Sequence, residues 1–555
     1  MGRWVWVACI VALILSACAS RQPTLPARPN ILLVVFEDLS PRIRALGDPV
    51  ATTPVLDAFA AEAMQFTAAF TTAGVCAPSR SALITGVHQQ TLGTGHMRTR
   101  SPVPGLTGGG PIEYDAVPPP AVRAFPELLR AAGYYTSNNG KTDYQFGEPF
   151  LIWDDARAPH PWRERDPQQP FFAMVNIMTT HESYLWPTDG ASDSPLATLV
   201  RQRNLRDLAG KQPVTDPATV PVPPYLPDTP AVRADIARQY DNQHFSERQL
   251  ARLLAELEED GLDRNTIVVV TTDHGDGLPR MKRSLYDSGL HVPLLVRFPD
   301  GRGAGRRSDA LVSFVDLAPT LLSLAGVPVP GYVQGQVAFG PRTAPERRYI
   351  YAAMDRHDAL PDRQRAVRDR RYKYILNHQP ERPFFRRLAF REQLPTMQEI
   401  WQAAAAGTAP DSLRRLLEAP RPAEELYDTR RDPDEVRNLA ADPAHRKTLE
   451  RLRAAQLAFL ARVGDRAAVP EAEMIAAMWP GLQQPRTAAP KLRVADGQVV
   501  LSCATAGAAI GYRIGGTRRW QVYTAPFAVP SGALLEARAQ RYGYAVSEQA
   551  VLEVP

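Results

Sequence analysis

The chain has 555 residues, enough for two or three domains and a large core, and its 22% charged and 44% hydrophobic content is that of an ordinary globular protein. A formal net charge of +5 permits an anionic ligand, but no aromatic-interleaved basic tract accompanies it, which excludes a nucleic-acid footprint. The 52 prolines imply many fixed loops rather than disorder.

In chain order, the first element is a targeting segment. Arg3 supplies a small positive region, and residues 5–15 form an apolar stretch too short for a comfortable membrane span. It runs into Leu15-Ser16-Ala17-Cys18, which resembles a bacterial lipobox. On that reading residues 1–18 are a lipoprotein signal peptide, Cys18 is the lipidated first mature residue, and the Ala19 after it favours an outer membrane. The alternative is an ordinary secretory signal cut after Ala19 or Ser20. Both export the protein, and residues 19–28 then read as a tether. With Cys9 and Cys18 in the export segment, only Cys76 and Cys503 remain, which is no disulfide framework.

Residues 31–36 are a continuous apolar run after Pro29-Asn30, the pattern of a buried parallel strand, and Glu37-Asp38 follow at once. Thr53 is placed to cap a helix, with Pro54 in its first position and Leu56, Phe59, Ala60, Ala63 and Met64 on one face. Cys76-Ala77-Pro78-Ser79-Arg80 opens another helix, with Pro78 in the first turn, where its missing N–H costs nothing. A strand over 171–177 delivers Thr179-Thr180-His181. An amphipathic helix from about 231 to 259 precedes a strand over 266–270 and then Asp273-His274. Residues 292–298 form a further strand.

Strands alternating with helices predict a doubly wound α/β sheet, in which ligands bind beyond the carboxyl ends of the strands. Polar clusters at three strand ends are therefore the layout of an active site. From about residue 344 the composition shifts to an arginine-rich stretch and then to helical segments reaching about 477. Beyond 490, short alternating strands are expected over 499–502, 510–514 and 533–539. The expected domains are 29–343 for the catalytic unit, 344–485 for a smaller α+β subdomain and 490–555 for an appended β module.

Cys76 to Arg80 spells C-x-P-S-R. Together with Arg28-Pro29-Asn30-Ile31-Leu32, Thr52-Thr53-Pro54-Val55-Leu56-Asp57, Gly140-Lys141, Thr180-His181-Glu182-Ser183 and Thr272-Asp273-His274-Gly275, it resembles the type I sulfatases of the alkaline phosphatase superfamily. The likeness is greatest to the branch of heparan N-sulfatase and bacterial polysaccharide sulfatases. It spans roughly residues 29–470 and implies the sulfatase α/β fold.

The resemblance implies that a formylglycine-generating enzyme oxidises Cys76 to formylglycine, whose hydrated aldehyde is the nucleophile. It implies one calcium ion held by Glu37, Asp38, Asp273 and His274, with residue 76 beside it. Glu37 stands where relatives usually have aspartate, and His274 where many have asparagine. Arg80 is implied to hold the diol and the sulfate, Lys141 to bind sulfate, and His181 and Lys282 to contact the sulfate and protonate the bridging atom. Asp143 stands where many relatives have histidine.

The expected substrate is a sulfated carbohydrate. Arg356 and His96 are candidate substrate contacts, and the arginines of 347–373 a candidate groove for a polyanionic glycan. The segment from about 490 resembles the small β-sandwich of chitobiase-like enzymes. Two other readings are a phosphodiesterase or phosphonate hydrolase of the same superfamily, and a non-catalytic glycan-binding lipoprotein in which Cys76 stays a thiol.

Overall fold

The computed structural model describes residues 25–100, 110, 112–189 and 194–555. The expected signal peptide, Cys18 and residues 19–24 of the tether lie outside the described residues. Among those described, no helix is long and apolar enough to cross a membrane.

Eight strands make the central sheet: Asn30–Phe36 (β1), Met64–Phe70 (β2), Tyr135–Asn138 (β3), Phe171–Ile177 (β4), Thr266–Thr272 (β5), His291–Arg297 (β6), Arg307–Ser308 (β7) and Val312–Ser313 (β8). Their order is β3-β4-β1-β5-β6-β2-β7, with β8 also on β2. β1 runs parallel to β4 and β5, whereas β6 is antiparallel to both β5 and β2. The sheet is thus parallel at its centre and mixed toward one side.

β1 reads as an unbroken apolar run because both of its faces are covered. Ile31, Leu33 and Val35 enter one core with Leu83, Ile84, Leu317 and Leu321. Leu32, Val34 and Phe36 enter the other with Leu56, Phe59, Leu250 and Leu257. Pro54–Glu62 (α1) and Pro230–Glu259 (α3) therefore cover one face, and Cys76–Thr85 (α2) with Leu317–Leu324 the other. This is the doubly wound arrangement. Emptying one such position, as in Leu33→Ala, costs about 2–5 kcal/mol. One local expectation fails: the Thr53 side chain does not cap α1. Its hydroxyl instead bonds Asp57 Oδ1 at 3.1 Å and accepts from Arg44 N–H.

The next region holds more strand than the sequence suggested. Ile350–Met354 (β9), Gln364–Arg368 (β10), Tyr372–Asn377 (β11) and Glu424–Asp428 (β12) form an antiparallel sheet in the order β12-β11-β10-β9. Val367, Tyr374 and Leu426 pack there against Leu449 and Leu452 of the helix Arg446–Val463.

At the end of the chain, Lys491–Ala495 (β13) pairs with Gln498–Ser502 (β14). Ala509–Ile514 (β15), Gln521–Val522 (β16), Leu534–Gln540 (β17) and Ala550–Glu553 (β18) form a second sheet, and both share a core built on Val499, Leu501, Ile510, Leu535 and Ala537. This β-rich unit is fixed to the main body. Tyr542 enters the central core, stacks on Phe146 at 4.9 Å and donates to Glu127 Oε2 at 2.6 Å.

Candidate active site

Register assembles the site. Phe36 pairs with both Ile177 and Thr272, so β1, β4 and β5 end at one level. Glu37-Asp38, Thr180-His181 and Asp273-His274 therefore meet just beyond the sheet. Asp38 N–H donates to Asp273 Oδ1 at 3.0 Å, and Glu182 N–H to Asp38 Oδ2 at 2.7 Å. Gly277 permits the close approach: a Cβ there would lie 2.6 Å from Glu182 Cα.

α2 brings the C-x-P-S-R turn into the same place. Cys76 is its first residue, and every position through Thr85 is buried. Ser79 fastens the turn by donating from Oγ to the Asp273 carbonyl at 2.6 Å. Arg80, one turn beyond Cys76, is fully buried and pairs with Glu37, with Asp273 Oδ2 at 3.2 Å and with Asn176 Oδ1 at 2.8 Å.

Cys76 Sγ lies 3.3 Å from His274 Nε2. The same Nε2 is 3.2 Å from Asp38 Oδ1 and 3.7 Å from Asp273 Oδ1. His274 Nδ1 faces the Gly275 carbonyl at 2.9 Å and so carries the ring proton of the neutral form. Nε2 is thereby turned toward two carboxylates. Asp38 Oδ1 and Glu37 Oε2 are buried without a hydrogen-bond partner. Carboxylate oxygens that converge in a buried cluster are what a bound cation satisfies. The ligand atoms of Asp38, Cys76, Asp273 and His274 lie within 4.8 Å of one another, as do those of Glu37, Asp38, Cys76 and His181. Three carboxylates and an imidazole fit a hard divalent ion.

Electrostatics agree with this. Burial pushes the Glu37 carboxyl up to about 7 despite Arg80, and raises Asp38 despite Lys282. Asp273 also feels burial, but His274, Arg80 and Lys282 overcome it and hold its carboxyl well below the usual range. Burial drives the Cys76 thiol well above its ordinary value, so an unmodified Cys76 is a poor thiolate nucleophile.

The cationic side is equally ordered. Lys141 Nζ lies 3.3 Å from Glu37 Oε2 and 3.6 Å from Asp143 Oδ2. Lys282 Nζ bonds Asp38 Oδ2 at 2.7 Å and Glu182 Oε1 at 2.9 Å, and sits 3.4 Å from His181 Nε2. Glu182 also takes both ends of Arg283, at 2.7 and 2.9 Å, and Arg283 reaches Asp358, the partner of Arg98. Asp38, Arg98, Arg283 and Asp358 all have positive φ, between 46° and 64°. Left-handed non-glycine residues cost energy and gather where surrounding structure holds a functional geometry.

The structure thus brings together Glu37, Asp38, Cys76, Arg80, Lys141, His181, Asp273, His274 and Lys282. Sequence reading missed Asn176, Glu182 and Arg283; Glu182 was visible beside His181, but its bridging role needed the fold.

Arg356 and His96, the candidate substrate contacts, are both engaged within the protein. Arg356 is buried, and its guanidinium is occupied by Glu471 at 2.7 and 2.8 Å and by the Met97 carbonyl. His96 is buried, and its Nδ1 accepts from Arg356 N–H. Both brace the end of β9. Most members of the arginine-rich stretch are paired: Arg347 with Asp316, Arg363 and Arg365 with Asp465, Arg368 with Asp287, Arg371 with Asp428. Arg347, Arg348, Arg370 and Arg371 nevertheless line one surface pocket with Arg451. Cys76 and Cys503 are both free.

Comparison with known proteins gives a consistent picture. The family model described as Sulfatase matches residues 29–151 and 158–327, and one described as N-sulphoglucosamine sulphohydrolase, C-terminal, matches 280–404. An ulvan-active sulfatase of Formosa agariphila is 40% identical over 94% of this chain and 91% of its own length. Human N-sulphoglucosamine sulphohydrolase is 28% identical over 80% of this chain and 91% of its own. A solved structure in complex with its substrate D-glucosamine-2-N,6-O-disulfate superposes with a TM-score of 0.53 at 19% identity, covering 79% of this chain and 98% of that one. A solved 2-O GAG sulfatase gives 0.54 at 22% identity, covering 80% and 94%. These two show the shared fold.

Proposed function

This chain belongs to the sulfatase family, and from that premise we propose that it removes sulfate from a polysaccharide, with formylglycine made from Cys76 as nucleophile and one calcium ion held by Glu37, Asp38, Asp273 and His274. Membership makes it a sulfuric ester hydrolase acting on carbohydrate; the metal identity, the residue roles and the polysaccharide are the proposal. The name of the 40% identical relative points to ulvan or a polyanion like it as substrate.

The observation that carries this reading is the position of Cys76. It heads α2 in the C-x-P-S-R context, with Sγ 3.3 Å from His274 Nε2 inside a buried carboxylate cluster. Glu37, Asp38, Asp273 and Glu182 face Arg80, Lys141, Lys282 and Arg283, so the protein groups alone are close to neutral. A divalent ion bound there supplies the excess positive charge that an anionic ester needs, and lowers the pKa of a hydroxyl beside it. On this reading Arg80 and Lys141 would contact the non-bridging sulfate oxygens, and His181 and Lys282 the leaving-group side. A phosphodiesterase site with two metals needs further Asp or His ligands; among the described residues the ligand-capable groups form only the two overlapping sets already given.

We also propose export as a lipoprotein anchored through Cys18, probed by the loss of membrane-fraction protein in Cys18→Ala. Sulfate release from ulvan oligosaccharides and from nitrophenyl sulfate, by protein made with a formylglycine-generating enzyme, tests the catalytic reading. No release from either by fully modified protein overturns it.

A further inference from the structure

His181 is fixed by more than its place at the end of β4. It is the N-cap of the short turn Glu182–Leu185, and its Nδ1 accepts from Ser183 N–H at 3.2 Å. A backbone N–H cannot reverse its role. Ser183 Oγ lies 2.8 Å from the same Nδ1, and Arg203 Nη2 donates to that Oγ at 2.8 Å. With Arg203 occupying an acceptor site of the hydroxyl, its proton is left to point at Nδ1.

Arg203 is itself held, its guanidinium 3.8 Å over the Tyr184 ring and bonded to Asn204 Oδ1 at 2.9 Å. Asn204 closes the loop by donating to the Ser183 carbonyl at 2.8 Å. Two donors therefore converge on Nδ1, and the ring proton of neutral His181 resides on Nε2, which faces the site. Lys282 does not compete strongly for Nε2: its two short bonds go to Asp38 and Glu182, and the contact to His181 is 3.4 Å.

We propose that Ser183 and Arg203 are positioning residues that hold His181 as a neutral ring with its proton on Nε2, making it a hydrogen-bond donor to the substrate's sulfate or bridging atom rather than the source of the transferred proton. A second ring proton would drive an N–H against the Ser183 N–H and hydroxyl. Burial, together with Lys282, Lys141, Arg203 and Arg98 around the ring, also lowers its basicity well below the ordinary value. A neutral imidazole is about as weak an acid as a sugar hydroxyl, so handing its proton to the leaving alkoxide would gain little. The transferred proton comes instead from another group, and the ammonium of Lys282 is the nearest. The inference refines the sulfatase reading and rests on it for the substrate.

Two measurements test it. In protein labelled with nitrogen-15 at histidine, the ring signals of His181, assigned by their absence in His181→Gln, report the tautomer without any turnover. Expected is a protonated Nε2 and a lone-pair Nδ1 in the wild type, with a mixture of the two tautomers in Arg203→Leu, where the Ser183 hydroxyl is free to turn and accept and only the Ser183 N–H still opposes a proton on Nδ1. A wild-type ring protonated on Nδ1, or on both nitrogens at neutral pH, overturns the proposal.

The second measurement compares His181→Gln with His181→Ala on a sulfated oligosaccharide. Glutamine can donate a hydrogen bond from the same region but cannot transfer a proton. Losing one such donor typically costs about 10²–10³ in kcat, so Ala should fall by that factor and Gln should recover at least about 10-fold of it. Gln as inactive as Ala overturns the proposal. A wild type inactive on every sulfate ester sinks the sulfatase reading instead, while the tautomer measurement still decides the positioning claim.

Discussion

Cys76 Sγ and His274 Nε2 lie 3.3 Å apart, although 198 residues separate them in the chain. The contact joins the first residue of α2 to the end of β5, and it is maintained by Ser79, whose hydroxyl bonds the Asp273 carbonyl. It places the residue to be modified against the His274 imidazole and near the oxygens of Asp38 and Asp273.

Such a cluster should depend on its ion. A chelator should abolish turnover, and calcium should restore it. Calcium should also raise the melting temperature, since a ligand that binds only the folded state adds about 2.7 kcal/mol at a hundredfold excess over its dissociation constant. Asp38→Asn and Asp273→Asn should lose both effects. A calcium-dependent melting shift that survives in both variants would move the ion elsewhere.

Glu182 bridges Lys282 and Arg283, and all three are buried. Removing the carboxylate leaves Lys282 with Asp38 and Arg283 with Asp358 as their remaining buried partners, a partial loss that should cost less than the about 3–5 kcal/mol of a fully stranded charge. Glu182→Ala should therefore unfold at distinctly lower denaturant and lose activity through a misplaced Lys282, while Glu182→Gln should retain part of both. An unchanged denaturant midpoint in the alanine variant would contradict the bridging role.

The C-terminal β-rich unit is a fixed part of the enzyme, held through Tyr542. Tyr542→Phe removes the hydrogen bond to buried Glu127 and should cost about 1–3 kcal/mol in thermal or chemical unfolding. Deleting residues 490–555 should expose Phe146 and Glu127 and give aggregation-prone protein. A soluble truncated protein with wild-type melting would make the unit a mere appendage.

His88 supplies a pH signature. It is buried edge-on to Phe459 at 4.8 Å, and burial, with Arg347 and Arg462 nearby, lowers its pKa to about 3. The unfolded chain binds a proton there below about 6.5 while the folded protein does not. Its contribution to stability is therefore complete above pH 6.5 and falls as the pH drops, by up to about 1.4 kcal/mol per pH unit until about pH 3. His88→Phe should flatten the stability-versus-pH curve in that window. An unaltered slope would show that His88 is protonated in the folded state.

Much of the fold and the site was legible in the sequence, for physical reasons. β1 and β4 are buried on both faces and read as unbroken apolar runs, and the polar residues that follow them stand out. The four-stranded β9–β12 sheet was harder, because inward positions such as Arg365 are charged and are balanced by Asp355 beyond the neighbouring strand and by Asp465 from a distant part of the chain. The same pairing runs through the arginine stretch: composition records the cations but not the carboxylates that meet them. Glu182 and Arg283 were overlooked because their pairing exists only after the segments beyond β4 and β5 fold together.

The most direct measurement is the mass of the peptide carrying residue 76, from protein made with a formylglycine-generating enzyme and assayed in parallel on a sulfate ester. The account predicts that the thiol is replaced by an aldehyde, that specific activity rises in proportion to the converted fraction, and that Cys76→Ala is folded but inactive. A fully active preparation whose Cys76 is an unmodified thiol would contradict it, as would complete conversion with no hydrolysis of any sulfate ester.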